Sequence, residues 1–133
     1  MDAMSQTEFF AIELGKLLHD HRGLDVIVMD MRPLAFWTDF FVIATVTSNT
    51  HLLGMERHIK DYVRENELEI IHRSRRPKTG IESSPAELDP AEWSLLDLGN
   101  IVIHLMNVKT RQFFELERLW SAAPLIYHSS KSS

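Results

Sequence analysis

A predicted strand-turn-strand-helix unit between residues 93 and 120 constrains the fold of this chain more than any other segment. Two short apolar runs, at residues 93–98 and 101–106, are separated only by Gly99 and Asn100. A Gly-Asn pair between apolar runs is typical of a two-residue hairpin turn, so the runs are predicted to pair as antiparallel strands. An amphipathic helix is predicted from about residue 109 to residue 120, with Phe113, Leu116 and Trp120 as its buried stripe. Because no nucleophile motif or glycine-rich loop interrupts the unit, it favours a binding surface over a reaction centre.

Two helices and three strands are predicted before this unit. The first helix begins at Ser5, which forms a capping box with Glu8, and it ends near Gly23 in a left-handed cap. Residues 25–31 and 40–46 are apolar through their centres, which predicts two strands buried on both faces. The second helix is predicted from the polar triplet at residues 47–49 to about Asn66, and residues 68–72 form the third strand. The helix between strands two and three predicts a parallel, right-handed crossover.

Together these elements predict an α+β fold with a mixed five-stranded sheet and helices packed mainly on one face. Residues 1–120 are predicted to form one domain, and residues 121–133 a flexible carboxyl-terminal tail. Residues 72–92 are rich in basic side chains at their start and in acidic side chains at their end, and they are predicted to form a long exposed loop. Since three helices cover only one face of such a sheet well, the other face is a predicted contact surface with an open apolar platform.

Charge and composition narrow the class of partner. The 133 residues carry 19 acidic side chains against 14 lysines and arginines, for a net charge of −5. This balance suits a basic protein better than naked nucleic acid, although mild acidity also promotes solubility. There is no cysteine, no signal peptide and no apolar run of bilayer-spanning length. We therefore predict a cytoplasmic protein with neither a DNA partner nor a membrane partner.

Three aspartates at strand ends raise an alternative, a metal-dependent nucleotidyltransferase using Asp30, Asp39 and Asp97. That chemistry needs two acids at one strand end and a phosphate-binding turn of small residues. Arg32 stands where the second acid would follow Asp30, and no Gly-Ser turn lies near a strand. The pattern therefore favours structural aspartates over catalytic ones.

Histidines and basic residues raise two further hypotheses. His51 and His58 share a predicted helix face, but no group of carboxylates converges on them, so we predict no metal ion and no cofactor. A basic cluster after the third strand favours a solvated loop, with an RNA-binding module as the alternative. The possible RNA contacts are Arg73, Arg75, Arg76 and Lys78.

Two sequence blocks resemble the ribosomal silencing factor family, also called the Iojap-related family. The first block is TDFFVIAT at residues 38–45, followed by Ser48 and Asn49. The second is WSLLDLGNIVIH at residues 93–104, followed by RQFFELERLW at residues 111–120. The order and spacing of the blocks agree with the family over about residues 7–120.

The resemblance implies a fold related to nucleotidyltransferases but without their enzymatic activity. It implies a protein that binds the large ribosomal subunit through its fourteenth ribosomal protein, on the face that meets the small subunit. Such a protein would block subunit joining and repress translation, especially under nutrient limitation. The resemblance also implies a homodimer when the protein is free.

We predict that the partner-binding residues lie on the hairpin and beside it. The hairpin residues are Trp93, Leu96, Asp97, Leu98 and His104, and the residues beside them are Thr38, Asp39 and Phe40. Trp93 would be the anchor, and Asp97 would either complement a positive partner or brace the turn. Since alternate residues of a strand face opposite ways, the pattern does not decide which of them is exposed.

This chain departs from the family pattern between the third strand and Trp93, where residues 79–92 make the connection longer. Leu98 and Phe114 stand where an aromatic residue and a tyrosine are common, and Asn100 stands where an aspartate is common. The departures therefore concern the interface and leave the predicted fold unchanged.

Overall fold

The computed structural model describes residues 5–34, 37–75, 93–114, 118 and 121–129, and it shows an α+β fold built on one mixed sheet. The helices in these residues are α1 (Gln6–Asp20), α2 (Asn49–Glu65) and α3 (Val108–Phe114). The strands are β1 (Leu24–Asp30), β2 (Phe40–Thr45), β3 (His72–Arg75), β4 (Trp93–Asp97), β5 (Ile101–Met106) and β6 (Leu125–His128), and a 3-10 turn lies at Arg32–Leu34. No helix in the described part of the chain is both long and apolar enough to cross a bilayer.

Side-chain caps start the two long helices where the sequence predicts them. The Ser5 hydroxyl accepts a hydrogen bond from the Glu8 backbone N–H at 3.1 Å, and Ser48 caps α2 in the same way. The turn after α1 differs, because the left-handed residue is Arg22 (φ 73°) and not Gly23. Gly23 is needed for space instead, since a Cβ there would lie 2.7 Å from the carbonyl oxygen of Leu18.

The sheet order is β3-β4-β5-β2-β1-β6, and β2 and β5 form its parallel pair. The other four pairs are antiparallel, so β3 runs in the same direction as β2, as the crossover predicts. However, β4 and β5 lie between β2 and β3 in the sheet.

The third strand also lies later in the chain than the predicted range 68–72. Its apolar signal is weak because it is a polar edge strand, paired with β4 alone.

A sixth strand corrects the predicted count of five and changes the extent of the folded domain. The sequence predicts a flexible tail over residues 121–133, whereas residues 125–128 pair with β1, with Val28 opposite Tyr127. Beyond the strand, the Ser129 hydroxyl accepts a hydrogen bond from the Val26 backbone N–H at 3.0 Å. The folded chain thus extends to residue 129. Four residues are too short a run to show a strand period, so only the pairing reveals this strand.

Helices α1 and α2 pack against one face of the sheet, which we call the covered face. Its core includes Val28, Phe40, Val42, Leu96 and Ile103, each 0% exposed. This arrangement agrees with the prediction that the helices lie mainly on one face.

The opposite face, which we call the second face, is not the open platform that was predicted. Its apolar residues on β1, β2 and β5 are at most 4% exposed, and Ala123 packs against them. The centre of this face is therefore closed, whereas Trp93, Leu95 and Asp97 of β4 are each half-buried on it. The open platform is therefore reduced to the side of the sheet that carries β4.

Helix α3 presents a different side from the predicted one. Phe113, predicted to be buried, is 78% exposed. Arg111, whose spacing from Glu115 predicts a surface ion pair, is instead 6% exposed, and its Nη1 donates to the Thr45 hydroxyl at 3.0 Å. The long arginine stem can cover apolar surface while its head finds a polar partner at the end of β2. Leu116, Trp120 and Glu115 lie outside the described residues.

Candidate protein-binding surface

Strand β4 presents three half-buried side chains in a row on the second face, which we call the β4 strip. Trp93, Leu95 and Asp97 form it, with successive members about 7 Å apart because a strand rises about 3.3 Å per residue. Ser94 and Leu96 point to the covered face and are fully buried. Leu96, a predicted contact residue, thus has no exposed surface. Leu95, which was not predicted, shares the exposed side with Trp93.

The turn after β4 is braced by the carboxylate of Asp97. Its Oδ1 accepts a hydrogen bond from the Gly99 backbone N–H at 2.7 Å. Gly99 adopts φ 95°, a conformation in which a side chain would be strained. The Leu98 N–H donates to the Ile101 carbonyl at 2.8 Å, which closes the hairpin. Of the two roles predicted for Asp97, the bracing of the turn is the one seen in this geometry.

Residues before β2 hold the same turn from the other side. The Thr38 hydroxyl donates to the Gly99 carbonyl at 3.1 Å, and the backbone N–H of Asp39 donates to the Asn100 carbonyl at 3.2 Å. The structure therefore brings the predicted residues Thr38 and Asp39 next to the hairpin. Phe40 supports them from below, since it is 0% exposed and belongs to the core of the covered face.

Exposed apolar side chains also lie close to the turn in space or in sequence. Ile71 is 59% exposed, and its Cδ1 lies close to Gly99, since a Cβ built on that glycine would be 3.7 Å away. Trp37, directly before Thr38, is 61% exposed. Leu98, a predicted contact residue, is half-buried and packs against the core of the covered face. We call Trp37, Ile71 and Leu98 the turn patch.

His104 lies beneath the β4 strip and is only 5% exposed, although it was predicted as a contact residue. The indole Nε1 of Trp93 donates to its Nδ1 at 3.2 Å. Its ring meets that of Phe41 edge-on, with centroids 4.7 Å apart. Burial lowers the pKa of His104 to about 4, so the imidazole is neutral at pH 7.

A buried carboxylate holds β4 from the covered face. Glu56 of α2 is 2% exposed, and its Oε2 accepts a hydrogen bond from the Ser94 hydroxyl at 2.5 Å. Its Oε1 lies 3.9 Å from the Nη1 of Arg73. Arg73, a predicted RNA contact, therefore extends toward this carboxylate. The side chain of Arg75, and both Arg76 and Lys78, lie outside the described part, so RNA binding by this cluster stays a prediction.

The three aspartates of the enzyme hypothesis do not converge. Asp30 is held by Arg32, with 2.9 Å from Nε to Oδ1 and 2.8 Å from Nη2 to Oδ2, and this contact lowers the pKa of Asp30. It extends toward the covered face, whereas Asp97 lies on the second face three strands away, roughly 14 Å at about 4.8 Å per strand. A two-metal site needs its ions about 3.5–4 Å apart. Residues 5–34, 37–75, 93–114, 118 and 121–129 contain no group of three or more metal-ligating side chains suited to an ion.

Comparisons with known proteins agree with the order of these elements. The sequence model of a family described as "Ribosomal silencing factor during starvation" matches residues 4–133. The chain is 33% identical over 107 residues to the Ribosomal silencing factor RsfS of Bacillus subtilis (strain 168), covering 80% of each chain. It is also 28% identical over 123 residues to Protein Iojap, chloroplastic, of Arabidopsis thaliana, covering 92% of this chain and 46% of that protein.

A solved structure shares the fold. A crystal structure of a protein from Chromobacterium violaceum superposes with a TM-score of 0.67 at 24% sequence identity. The match covers 90% of this chain and 88% of the other. At this identity the likeness concerns the arrangement of helices and strands alone.

Proposed function

The chain belongs to the ribosomal silencing factor family, and on that premise we propose that it represses translation by binding the large ribosomal subunit. In this proposal the contact is made through the fourteenth protein of that subunit. The bound repressor occupies the face that the small subunit must reach, so the two subunits cannot join. Such a mechanism needs affinity and bulk, and it needs no chemical step.

The observation that carries this proposal is the β4 strip with the turn patch beside it. The strip places a half-buried tryptophan, a leucine and a carboxylate in one row, and aromatic anchors dominate the binding energy of many interfaces. The surface stands on a hairpin whose turn is hydrogen-bonded to Thr38, Asp39 and Phe40. A partner therefore meets a surface that needs little ordering, which favours affinity.

Charge supports a basic protein as the partner. The net charge of −5 favours encounter with a positively charged surface, because complementary charge raises association rates. Asp97 lies on the β4 strip, and Asp39 lies beside the hairpin turn through its backbone contact with Asn100. The proposal therefore assigns the apolar strip to affinity and the aspartates to encounter and orientation.

Three finer points belong to the same proposal. We propose that the free protein is a homodimer, as the family resemblance implies, and that it acts in the cytoplasm, as the sequence composition predicts. We propose further that the fold is related to nucleotidyltransferases without retaining their activity, and the separation of Asp30 from Asp97 supports the loss of activity. Sedimentation equilibrium of the purified protein tests the dimer.

Sedimentation with separated ribosomal subunits tests the main proposal. The protein should comigrate with the large subunit and should reduce the amount of joined ribosomes when both subunits are mixed. A protein that neither comigrates with the large subunit nor reduces joining would refute the proposal. A pull-down with the purified fourteenth protein of the large subunit then tests the named partner.

Variants of exposed apolar residues test which surface is used. Trp93→Ala should weaken binding to the large subunit by about 30-fold or more, as expected for a central aromatic anchor. The matched control is Phe9→Ala, because Phe9 is an exposed aromatic on α1 (49% exposed) away from β4. Equal loss in both variants, or loss only in Phe9→Ala, would place the contact elsewhere.

A further inference from the structure

The indole of Trp93 leans along the hairpin and rests against a residue diagonal to it. Trp93 pairs directly with Met106 across the ladder, whereas His104 pairs with Leu95. The indole nevertheless donates to His104 at 3.2 Å, with ring centroids 6.0 Å apart. Because His104 lies on β5 and is two residues nearer the turn than Met106, the indole leans across to β5 and toward the turn.

The direction of this hydrogen bond determines the state of the imidazole. An indole N–H can only donate, so the Nδ1 of His104 accepts and carries no proton. The neutral ring then carries its proton on Nε2. Burial lowers the pKa of His104 to about 4, which keeps Nδ1 available as an acceptor near neutral pH.

The imidazole itself is held in place by its neighbours. Phe41 of β2 is 4% exposed and meets the imidazole edge-on, with an interplanar angle of 75°. Within the ladder, Ile43 and Leu95 stand on either side of His104. A side chain enclosed in this way offers a hydrogen-bond acceptor at one constant position.

Stability alone does not account for a histidine at this position. Its Nε2 is buried and has no hydrogen-bond partner within the described part of the chain. A buried donor without a partner lowers stability, and an apolar side chain of similar size would avoid that cost. The hydrogen bond that the structure does show is made by the other nitrogen, Nδ1, which accepts from Trp93.

We propose that His104 is a positioning residue of the ribosome-binding surface, which orients the indole of Trp93 through Nδ1 and does not itself contact the partner. The expected effect on ribosome binding rests on the proposed function. The orientation of the Trp93 indole by His104 rests on the geometry of the free protein. An anchor held in one orientation loses less conformational freedom on binding than a mobile one. Loss of the acceptor should therefore weaken binding by about 3- to 10-fold.

Two variants of His104 with side chains of similar size separate the effect of the hydrogen-bond acceptor from the effect of side-chain volume. His104→Leu removes the acceptor and also removes the buried donor without a partner, so its thermal stability should equal or exceed that of the unmodified protein. His104→Asn keeps an oxygen near the position of Nδ1. We expect His104→Leu to bind the large subunit about 3- to 10-fold more weakly, and His104→Asn to stay within about twofold of the unmodified protein. Equal binding by His104→Leu and the unmodified protein would overturn the inference.

The indole proton of Trp93 gives a readout that needs no ribosome. Its resonance, assigned with Trp93→Phe, should be protected from solvent exchange in the unmodified protein and lose protection in His104→Leu. Unchanged protection in His104→Leu would also overturn the inference. If the unmodified protein does not bind the large subunit, the proposed function fails, while the exchange measurement still decides the positioning role.

A double-mutant cycle tests whether His104 acts through Trp93 without relying on the effect of a single variant. If His104 acts through the indole N–H, then His104→Leu should cost no affinity in a Trp93→Phe background, because phenylalanine has no N–H to orient. An equal loss of affinity in both backgrounds would show that His104 acts by another route and would overturn the inference.

Discussion

Strand β4 is held from its two faces by different polar contacts. On the covered face, Ser94 donates to the buried carboxylate of Glu56, which belongs to α2. On the second face, Trp93 donates to the buried imidazole of His104, which belongs to the neighbouring strand. The first contact joins a helix to the strand and secures where the strand lies. The second joins two side chains of one hairpin and, in the proposal made above, orients the side chain that meets a partner.

The difference suggests one five-residue strand on which stability and the proposed recognition fall on opposite faces. Alternation sends Ser94 and Leu96 into the core and leaves Trp93, Leu95 and Asp97 half-buried. We therefore expect changes at Ser94 and its partner Glu56 to act on the free energy of unfolding, and changes at Trp93 and Leu95 to act mainly on the proposed binding. The predictions that follow test this separation, beginning with the largest expected effect.

Removal of the Glu56 carboxylate should have the largest effect on stability. Glu56→Ala leaves the buried Ser94 hydroxyl without its acceptor and opens a cavity, so we expect a loss of about 3 kcal/mol in the free energy of unfolding. Denaturant unfolding measures the loss. The control is Glu65→Ala, since Glu65 is exposed on the same helix and should change stability by less than about 0.5 kcal/mol. Equal effects of the two variants would contradict the structural role of Glu56.

Lowering the pH should reduce the free energy of unfolding through the protonation of His104. The pKa of this residue is about 4 in the folded chain against 6.5 for an ordinary histidine, because burial disfavours the charged ring. The unfolded chain therefore takes up a proton first as the pH falls, and stability is lost from about pH 6.5 downward, through the folded pKa. Between pH 7.5 and pH 5 the loss should be on the order of 2 kcal/mol.

Comparison with His104→Leu isolates this contribution from the other six histidines. The difference in unfolding free energy between the two proteins should change with pH in the direction that favours the variant in acid. If this difference in unfolding free energy is the same at pH 7.5 and pH 5, then burial does not lower the pKa of His104 in the folded protein.

The carboxylate brace of the turn should have a smaller effect. Asp97→Ala removes the acceptor for the Gly99 N–H, so we expect a loss of about 1 kcal/mol in stability. Asp97→Asn keeps an acceptor oxygen and should lose less, while both variants should slow association with a positive partner. Denaturant unfolding and association kinetics at low and high salt measure the two effects. Equal stability of Asp97→Ala and the unmodified protein would show that the turn needs no brace.

The smallest effect is expected outside β4, at Phe113. Because this side chain is 78% exposed, Phe113→Ser should change the free energy of unfolding by less than about 0.5 kcal/mol. Thermal unfolding measures it. A loss of several kcal/mol would instead support the buried stripe that the sequence pattern predicts for this helix.

Local signals predicted much of the fold. The caps at Ser5 and Ser48, the hairpin turn at Gly99 and the range of β5 all agree with the structure. Each depends on interactions between residues a few positions apart. Strand β6 and the displaced strand β3 lacked such signals, since each is four residues long and is defined by its partner strand.

The candidate site was predicted as a region and resolved as residues only by the structure. Trp93, Asp97, Thr38 and Asp39 lie together around the hairpin, as predicted. Leu96 and Phe40, predicted alongside them, have no exposed surface, whereas Leu95 is half-buried on the strip. The alternation of side-chain direction along a strand indicates that residues 93, 95 and 97 share a face, but it does not indicate which face the helices cover.

By itself, the sequence determined the α+β class and the hairpin, because periodicity, capping and turn chemistry are local properties of the chain, and its two motif blocks indicated the family by resemblance. Only the tertiary structure decided that α1 and α2 cover the face of Leu96, and that Trp93, Leu95 and Asp97 are half-buried on the second face. It also decided that His104 lies beneath Trp93. The physical reason is that a side chain's burial depends on which elements pack against its strand, and those elements lie far away in the sequence.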